Sequence, residues 1–368
     1  MQEIRYSYNI IKDLREVIAR EAPDRVVILT DETTHAVCCP LVAEALTDAA
    51  EIVIGATDIH KTIDTLQQVW TGLQEAGCTR HSLLVNLGGG MVTDLGGFAA
   101  ATFKRGMRFV NIPTTLLSMV DAAVGGKTGI NFGGLKNEIG AFAEAAAVII
   151  HTEFLRTLDT PNIRSGYAEM LKHSLLDGDE MWRRHVTYDL AQPDLSQLQQ
   201  LVRESIELKQ RIVTEDPHEH GIRKALNLGH TVGHAFESFL MAPSLLSRGT
   251  LTNGEGGGRG PRAGEEVPVL HGYAVAWGLA VELFMSAALL DFPTDRMRQT
   301  VRFITEHYGR PAVTCDDYEA LYTLMLHDKK NTAGRINFTL LAAPGEIRID
   351  QQADKDLIFD AFDFLREA

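Results

Sequence analysis

The sequence predicts an α/β domain over residues 1–158, with an open, mostly parallel, Rossmann-like sheet, followed by an all-α domain over residues 159–368. Three observations support this fold class. The length of 368 residues suits about two domains. In the first part, short β-branched runs alternate with helical stretches, which is typical of parallel βαβ units. After residue 162, strand signals become rare and apolar residues recur at helical spacing.

The charge balance limits the classes of partner. Lys and Arg number 35 against 49 Asp and Glu, which gives a formal net charge of −14. A negative overall field repels nucleic-acid phosphates and anionic membrane surfaces, so we expect neither as a partner. An anionic small molecule would need basic residues gathered in one cleft against this field.

The cysteine pattern and the N-terminus predict a cytoplasmic protein. The four cysteines are 38, 39, 78 and 315, and no Cys-x-x-Cys spacing occurs among them, so we expect reduced thiols. The N-terminal stretch MQEIRYSYNI has no basic region followed by an apolar one, so no secretory signal is expected there.

Five runs of the first part are predicted strands, and their ends predict where a ligand binds. Open α/β sheets bind ligands beyond the carboxyl ends of their strands, where Asp31, residues 88–90 and residues 113–115 would lie. The runs are RVVILTD (25–31), EIVIG (51–55), SLLVNLGGG (82–90), RFVNIP (108–113) and AAVIIHT (146–152).

A glycine-rich turn follows the third of these strands. The stretch NLGGGMVTDLGGF (86–98) opens into a helix whose first N–H groups can hold a phosphate or pyrophosphate. It is not the G-x-G-x-x-G fingerprint, and a tight turn without a ligand is the alternative. Asp31 has the placement of a carboxylate that accepts from ribose hydroxyls, but an Asp after a strand also suits a helix cap.

The stretch 112–142 carries more polar donors than a connector requires. Asp121, Lys127, Lys136 and Asn137 stand there between glycines and apolar residues. We interpret the stretch as an anion site, with a solvated loop as the alternative.

The second part is predicted to be helical around an apolar segment. The periodic stretches are NIRSGYAEMLKHSLL, LSQLQQLVRESIELKQRIV and GYAVAWGLAVELFMSAALL. Residues 275–290 are too short to span a bilayer and contain Glu282, so they suit a buried helix. A late strand is predicted at RINFTLL (335–341), and the Gly-rich stretch 247–268 is predicted to be a mobile surface insertion.

Three histidines and a glutamate are candidate metal ligands. His230 and His234 are four apart on one helical face, and His271 follows the insertion. Imidazoles with one carboxylate are what a catalytic zinc needs, but Thr231 replaces the Glu of the H-E-x-x-H signature, which disfavours peptide hydrolysis. Glu169 and Lys172 share a helix face, and an exposed ion pair is the alternative there. Spacing alone does not choose three ligands among Glu169, His230, His234 and His271.

Together these motifs resemble the 3-dehydroquinate synthase family. The shared motifs follow in order over residues of about 25 to 345, and many motifs in order are more specific than one. They are GGGMVTDLGGFAAATFKRG, IPTTLLSMVDAAVGGKTGIN, KNEIGAF, SGYAEMLKH, GIRKALNLGHTVGHAFE, LHGYAVAWG and DKKN.

The resemblance implies a fold, an activity and cofactors. It implies a homodimer that binds NAD and a divalent metal, zinc or cobalt, in a cleft between an α/β domain and a helical domain. The implied reaction converts 3-deoxy-D-arabino-heptulosonate 7-phosphate to 3-dehydroquinate and inorganic phosphate in the shikimate pathway. Its steps are transient oxidation by NAD, phosphate elimination, re-reduction and intramolecular aldol closure.

The resemblance also assigns residues. It selects Glu169, His230 and His271 as metal ligands and leaves His234 as a polar contact near the substrate, while Arg105 is expected to reach the site of the other subunit. The implied dinucleotide contacts are Asp31, Asp58, Lys61, Gly89, Gly90, Asp94, Thr114, Thr115 and Thr157, with Lys127 and Lys136 nearby. The implied substrate contacts are Asp121, Lys127, Lys136, Asn137, Lys172, Lys209, Arg223, Asn227 and Lys329.

This sequence departs from the family pattern at three places. Tyr273 stands where the family usually has Glu, Asp58 is a shifted substitute in the nucleotide-side motif, and the segment between His230 and His271 is longer than usual. The alternatives are another sugar-phosphate cyclase, a metal-dependent alcohol or glycerol dehydrogenase of the same architecture, and a catalytically dead, ligand-sensing relative.

Overall fold

The computed structural model describes residues 2–133, 135–241, 269–326 and 335–368. The predicted insertion at 247–268 and the predicted substrate contact Lys329 lie outside the described residues.

The described chain forms two compact units. The first comprises Met1–Gly166 and Leu195–Gln210, and the second comprises Tyr167–Asp194 and Arg211–Ala368. The sequence predicts a single boundary after residue 158, whereas the first unit also takes in part of a later helix. That helical segment is held by first-unit side chains: the Arg203 guanidinium lies 4.3 Å from the centre of the Tyr6 ring.

A six-stranded parallel sheet forms the centre of the first unit. The strands are β1 (Glu3–Tyr6), β2 (Val26–Asp31), β3 (Ala50–Ile54), β4 (Leu83–Gly88), β5 (Arg108–Pro113) and β8 (Ala147–Ile150). Their order across the sheet is β1-β8-β5-β4-β2-β3. The five predicted strands are confirmed, and β1 was not predicted because its four residues are mostly polar.

The central strands β4 and β5 are mostly apolar and buried because helices cover a parallel sheet on both faces. All six residues of β4 are buried. Since β5, β4 and β2 are neighbours, the ends at Pro113, Gly88 and Asp31 meet at one edge of the sheet, as predicted. The helices of this unit are Ile10–Glu21, Glu32–Val37, Cys39–Val42, Ile63–Glu75 and Gly90–Thr102.

Gly96 lets the helix Gly90–Thr102 lie close to the sheet. A Cβ at this position would stand 2.1 Å from Oδ1 of Asn86 on β4 and 2.8 Å from a methyl of Leu29 on β2. Only glycine fits such an approach, which fixes the start of this helix beside the end of β4.

The stretch 112–142 contains regular structure that the sequence analysis did not predict. A π-helix covers Ser118–Ala122, and an antiparallel hairpin is formed by β6 (Lys127–Phe132) and β7 (Leu135–Phe142). The many glycines and polar residues hid the alternation of the hairpin, because neither of its faces is continuously apolar.

The second unit is mostly helical, and the predicted helices are confirmed. The description as all-α is wrong in one respect, since β9 (Phe338–Ala343) pairs antiparallel with β10 (Glu346–Gln351). The predicted strand at 335–341 overlaps β9, but β10 was not predicted because its residues alternate between exposed and half-buried positions. The helices are Thr160–Asp177, Asp179–Val186, Leu195–Glu215 (shared with the first unit), His230–Leu240, His271–Leu290, Thr294–Tyr308, Tyr318–Leu326 and Lys355–Glu367.

The helix His271–Leu290 is the buried core helix that the sequence predicts. Among the described residues it alone is long and apolar enough to cross a membrane by length and composition, but 67% of its most apolar window is buried in the fold. It packs against the helix His230–Leu240 at glycines: a Cβ on Gly278 would stand 2.0 Å from the carbonyl oxygen of Gly229. This close contact brings the first residues of the two helices, both histidines, near each other.

Candidate active-site residues

A carboxylate and a lysine lie side by side in the interior of the second unit. Glu169 and Lys172 are one turn apart on the helix Thr160–Asp177 and form an ion pair. Their side chains are 0% and 1% exposed, so the alternative of an exposed surface pair is wrong. A buried pair of this kind is destabilised by desolvation unless further partners balance it.

Two imidazoles supply further partners on the other side of the carboxylate. Nε2 of His230 lies 3.4 Å from Oε1 of Glu169, and Nε2 of His271 lies 3.5 Å from the same oxygen. The donor atoms of Glu169, His230 and His271 all lie within 4.8 Å of one another. The structure therefore brings together one carboxylate and two imidazoles that stand far apart in sequence.

The other nitrogen of each imidazole faces an acceptor. Nδ1 of His230 lies 3.2 Å from the carbonyl oxygen of Leu228, and Nδ1 of His271 lies 3.4 Å from Oε2 of Glu237. These acceptors engage the Nδ1 atoms, so that both Nε2 atoms face the Glu169 carboxylate. Metal-binding histidines are oriented in the same way, so this donor set fits a divalent cation.

The electrostatics of the cluster favour an ionised carboxylate. Burial alone would raise the pKa of the Glu169 carboxyl, but the charges of Lys172 and His230 hold it well below its usual range. Burial lowers the pKa of His271, and the carboxylates of Glu237 and Glu169 outweigh burial and raise it to about 10. Both oxygens of Glu169 are buried, and neither has a hydrogen bond of good geometry within the described residues. A cation between the three groups would satisfy Oε1, since Lys172 already forms an ion pair with Oε2.

His234 leaves a second combination of donors open. Its ring centre lies 5.4 Å from that of His230 and 5.9 Å from that of His271. Donor atoms of His234, Glu237 and His271 also lie within 4.8 Å of one another. The first combination has two Nε2 atoms directed at one carboxylate oxygen, which favours it as the cation site.

Two glutamates that support the cluster were missed by the sequence analysis as site residues. Glu237 stands three residues after His234, on the same helical face, and this spacing is a signal that could have found it. The buried Glu282 accepts a hydrogen bond of 2.6 Å from the backbone N–H of Gly229, at the start of the histidine-bearing helix. Glu282 is a single carboxylate inside an otherwise apolar helix, and this pattern is the signal that could have identified it.

Arg223 and Asn227 are brought together by the 3₁₀ helix Ile222–Asn227 in the second unit. Arg223 is buried and donates to the carbonyl oxygen of Pro217 at 2.6 Å. The amide of Asn227 donates to Oε1 of Glu219 at 3.0 Å. The turn before the histidine helix therefore carries both predicted anion contacts.

In the first unit, the strand-end residues meet as predicted. Asp31 caps the helix Glu32–Val37, because its carboxylate accepts from the N–H of Thr34 at 2.9 Å. The helix-cap alternative is thus confirmed for this residue. Gly89 is the N-cap of the helix Gly90–Thr102 without a side-chain cap, and the hydroxyl of Thr114 is buried without a hydrogen-bond partner among the described residues.

Lys61, Asp94 and Asn137 form a cluster in the same unit. Nζ of Lys61 lies 2.5 Å from Oδ2 of Asp94 and also contacts Oδ1 of Asn137. Burial raises the pKa of the Asp94 carboxyl, with a further contribution from Asp121, and the charge of Lys61 opposes this only in part. The cluster joins residues that the family resemblance assigns to the dinucleotide and to the substrate.

Two further ion pairs involve predicted contacts of the first unit. Nζ of the buried Lys209 lies 2.6 Å from Oδ1 of Asp121. Nζ of Lys136 lies 3.7 Å from Oδ2 of Asp58, and both of these side chains are about half exposed. Lys209 is thus buried against a carboxylate and not on a solvated face, whereas Lys136 is paired at the surface.

Three predicted residues occupy exposed positions elsewhere in the first unit. Lys127 begins β6, and Arg105 ends a 3₁₀ turn with a φ of 67°. Thr157 ends the 3₁₀ helix Thr152–Thr157, where its hydroxyl donates to the carbonyl oxygen of Phe154 at 2.8 Å. Their predicted roles remain predictions.

Solved structures of other proteins share the fold of this chain. It matches a 2-deoxy-scyllo-inosose synthase structure with a TM-score of 0.81 at 18% identity, over 98% of this chain and 95% of the other. It matches 2-epi-5-epi-valiolone synthase from Streptomyces hygroscopicus subsp. jinggangensis with a TM-score of 0.80 at 22% identity, over 100% and 97% of the two chains. The chain therefore shares the fold of these two structures.

The sequence comparisons define the family to which this chain belongs. The N-terminal model of 3-dehydroquinate synthase matches residues 51–165, and the C-terminal model matches residues 166–246 and 262–331. A 3-dehydroquinate synthase of Parabacteroides distasonis is 47% identical over 100% of this chain and 98% of that protein. One of Pyrococcus furiosus is 34% identical over 97% of this chain and 98% of that protein. The chain belongs to the 3-dehydroquinate synthase family, as the resemblance predicted.

Proposed function

We propose that this chain is an enzyme that converts 3-deoxy-D-arabino-heptulosonate 7-phosphate to 3-dehydroquinate and inorganic phosphate. Membership of the family over the whole chain supports the reaction. The observation that carries the proposal is the pair of imidazole Nε2 atoms directed at one buried oxygen of Glu169, with both Nδ1 atoms engaged elsewhere. This arrangement fits a bound cation, which the oxidation of an alcohol carbon in this reaction would need.

Glu169, His230 and His271 would hold zinc or cobalt. The bound ion would lower the pKa of a substrate hydroxyl and polarise the resulting carbonyl. The rest of the cluster acts on the ligands: Glu237 and the carbonyl of Leu228 fix the tautomer of the two imidazoles. Lys172 balances the charge of the carboxylate, so that Glu169 stays ionised in a dry interior.

The strand ends of the first unit would hold NAD. The bound cofactor would accept a hydride and return it within one turnover, so the net reaction is not an oxidation. Gly89 and Gly90 let the pyrophosphate approach the helix start, and the hydroxyl of Thr114 is an available donor. Asp31 would accept from ribose with the oxygen that does not cap the helix.

Basic side chains would receive the two anionic groups of the substrate. The acidic protein repels such a substrate in general, so the receiving residues must act locally. Lys209 and Arg223 are buried, and each is held in place by an oxygen acceptor, so they are pre-oriented rather than mobile. The proposed contacts among the described residues are Asp121, Lys127, Lys136, Asn137, Lys172, Lys209, Arg223, Asn227 and His234.

We also propose the cellular setting that the family resemblance implies. The enzyme would act in the cytoplasm, on a sugar phosphate, as a homodimer. Arg105, which is exposed in the described chain, would reach the site of the other subunit.

One assay tests the proposed reaction. The purified chain is incubated with the heptulosonate phosphate, NAD and zinc, and inorganic phosphate and NADH are measured together. We expect phosphate release without net NADH, whereas a dehydrogenase would accumulate NADH and a ligand-sensing relative would release nothing. His271→Ala should abolish release and metal retention at this cluster, and His81→Ala, at an exposed position, should leave both intact.

A further inference from the structure

Three side chains with different donor atoms meet at the surface of the first unit. His35 lies on the helix Glu32–Val37, Cys39 begins the helix Cys39–Val42, and Glu51 lies on β3. Nε2 of His35 is 3.1 Å from Oε2 of Glu51. The donor atoms of all three residues lie within 4.8 Å of one another.

We propose that His35, Cys39 and Glu51 form a second metal site, which binds a borderline-soft divalent cation such as zinc. A nitrogen, a thiolate and a carboxylate oxygen are all ligands that zinc takes. Bond lengths of about 2.0–2.3 Å require ligand atoms about 3.3–3.8 Å apart in a tetrahedron, a separation that small side-chain rotations reach from the present one. The fourth position would face water, since His35 and Glu51 are 39% and 56% exposed.

The backbone around the three residues is already fixed. Asp31 and Thr34 form a capping box that sets the first turn of the helix bearing His35. Cys38 keeps a helical backbone, with φ −109° and ψ −35°, so His35 and Cys39 lie one turn apart on the same side. Glu51 is held by the pairing of β3 with β2, in which Ile28 is opposite Glu51. Three ligands on ordered backbone favour binding because little chain entropy is lost.

The ligand set distinguishes this site from the cluster of Glu169, His230 and His271, here called the Glu169 centre. All four thiols of the chain are free, and Cys39 is partly accessible. The Glu169 centre offers only nitrogen and oxygen, so sulfur ligation distinguishes the new site chemically. Since β3 is an edge strand, a cation here would tie the edge of the sheet to the helix that follows β2.

Cobalt titration of the full, metal-free chain tests the proposal. Cobalt bound to a thiolate gives an intense near-ultraviolet charge-transfer band that nitrogen and oxygen ligands do not give. We expect about two equivalents to bind per chain, one of them with the band. Cys39→Ser should lose the band and one equivalent, while Cys315→Ser, which removes an exposed thiol elsewhere, should keep both.

Further variants separate a built site from a reactive thiol. His35→Ala and Glu51→Gln should each weaken cobalt binding at the sulfur site by about 10-fold or more. His230→Ala should remove the other equivalent and leave the band. Absence of the band in the unaltered chain, its survival in Cys39→Ser, or unchanged affinity in both His35→Ala and Glu51→Gln would each overturn the proposal.

Discussion

Each unit of this molecule contains a lysine paired with a carboxylate in its interior, and the two carboxylates respond in opposite ways. In the second unit the pKa of Glu169 lies well below its usual range, although burial opposes this. In the first unit burial raises the pKa of Asp94, despite the direct contact with Lys61. An ion pair alone therefore does not decide whether a buried carboxyl is ionised.

The difference comes from the remaining neighbours. Glu169 has Lys172 on one side and two imidazoles on the other, so positive groups outnumber it. Asp94 has Lys61 beside it, but the charge of Asp121 adds to the effect of burial. The neighbours of Glu169 favour the ionised carboxylate, which suits the binding of a cation. The neighbours of Asp94 disfavour its charged form, which suits hydrogen bonding to a polar ligand.

The largest expected effect contrasts the two carboxyls directly. Glu169→Gln leaves Lys172 buried without a carboxylate, so we expect a loss of about 3–5 kcal/mol in the free energy of unfolding of the metal-free protein. Asp94→Asn should lose less, because Lys61 keeps the amide oxygen of Asn137 as a partner. Urea unfolding of both variants at pH 7 measures the difference.

Metal content separates the same two variants. After dialysis Glu169→Gln should contain one equivalent of zinc fewer than the unaltered chain, while Asp94→Asn should contain as much as the unaltered chain, both measured by elemental analysis. Equal stability losses, or equal metal retention, would contradict the contrast between the two regions.

The next effect concerns a neutral group in the second unit. Burial lowers the pKa of His185 to about 4, and its Nδ1 lies 2.9 Å from the carbonyl oxygen of Met181. In the unfolded chain the pKa of this imidazole is about 6.5, so between pH 6.5 and 4 the unfolded state binds more protons than the folded state. The free energy of unfolding should therefore fall by about 3 kcal/mol as the pH drops through this window.

His185→Gln should remove that part of the pH dependence. Unfolding of the two proteins in urea at a series of pH values gives the slopes, and the difference between them isolates this imidazole from the other titrating groups. Parallel slopes from pH 6.5 to 4 would show that His185 is protonated in the folded state, contrary to expectation.

Much of the fold could be predicted from the sequence, and the same physical reasons explain which strands were not predicted. Buried parallel strands are continuous apolar runs, so β4 and β5 stood out clearly. The hairpin β6–β7 and the strand β10 have exposed or mixed faces, and periodicity does not detect such strands.

The two units differ in how many of their side-chain contacts the sequence spacing indicates. Spacing on one helix linked Glu169 to Lys172 and His230 to His234, but only the close packing of two helices at Gly278 brings His271 to His230. The contact of Lys61 with Asp94 and Asn137 joins residues 33 and 76 positions apart, which no local pattern indicates. The family resemblance named all of these residues without specifying their partners.

A smaller effect is expected at the support of the cation cluster. Glu237→Gln keeps the shape of the side chain but weakens the acceptor for Nδ1 of His271. We expect zinc affinity to fall by about 10- to 100-fold, while the fold is retained. Competition with a chromogenic chelator measures the affinity. Glu219→Gln, a change in the same unit at a carboxylate that holds Asn227, is the matched control and should leave zinc affinity unchanged.

The smallest effect on stability should arise at the exposed pair of the first unit. Lys136 and Asp58 are 3.7 Å apart, with side chains 44% and 48% exposed, so solvent screens their attraction. Lys136→Ala should change the free energy of unfolding by less than about 1 kcal/mol, whereas Lys61→Met, which removes a buried cation beside Asp94, should be clearly more destabilising. Urea unfolding compares the stabilities of the two variants.

If Lys136 receives the substrate anion as proposed, Lys136→Ala should still raise KM for the sugar phosphate several-fold. A large stability loss in Lys136→Ala would mean that the hairpin depends on the exposed pair. Burial would then not explain the difference in stability between the Lys136 and Lys61 variants.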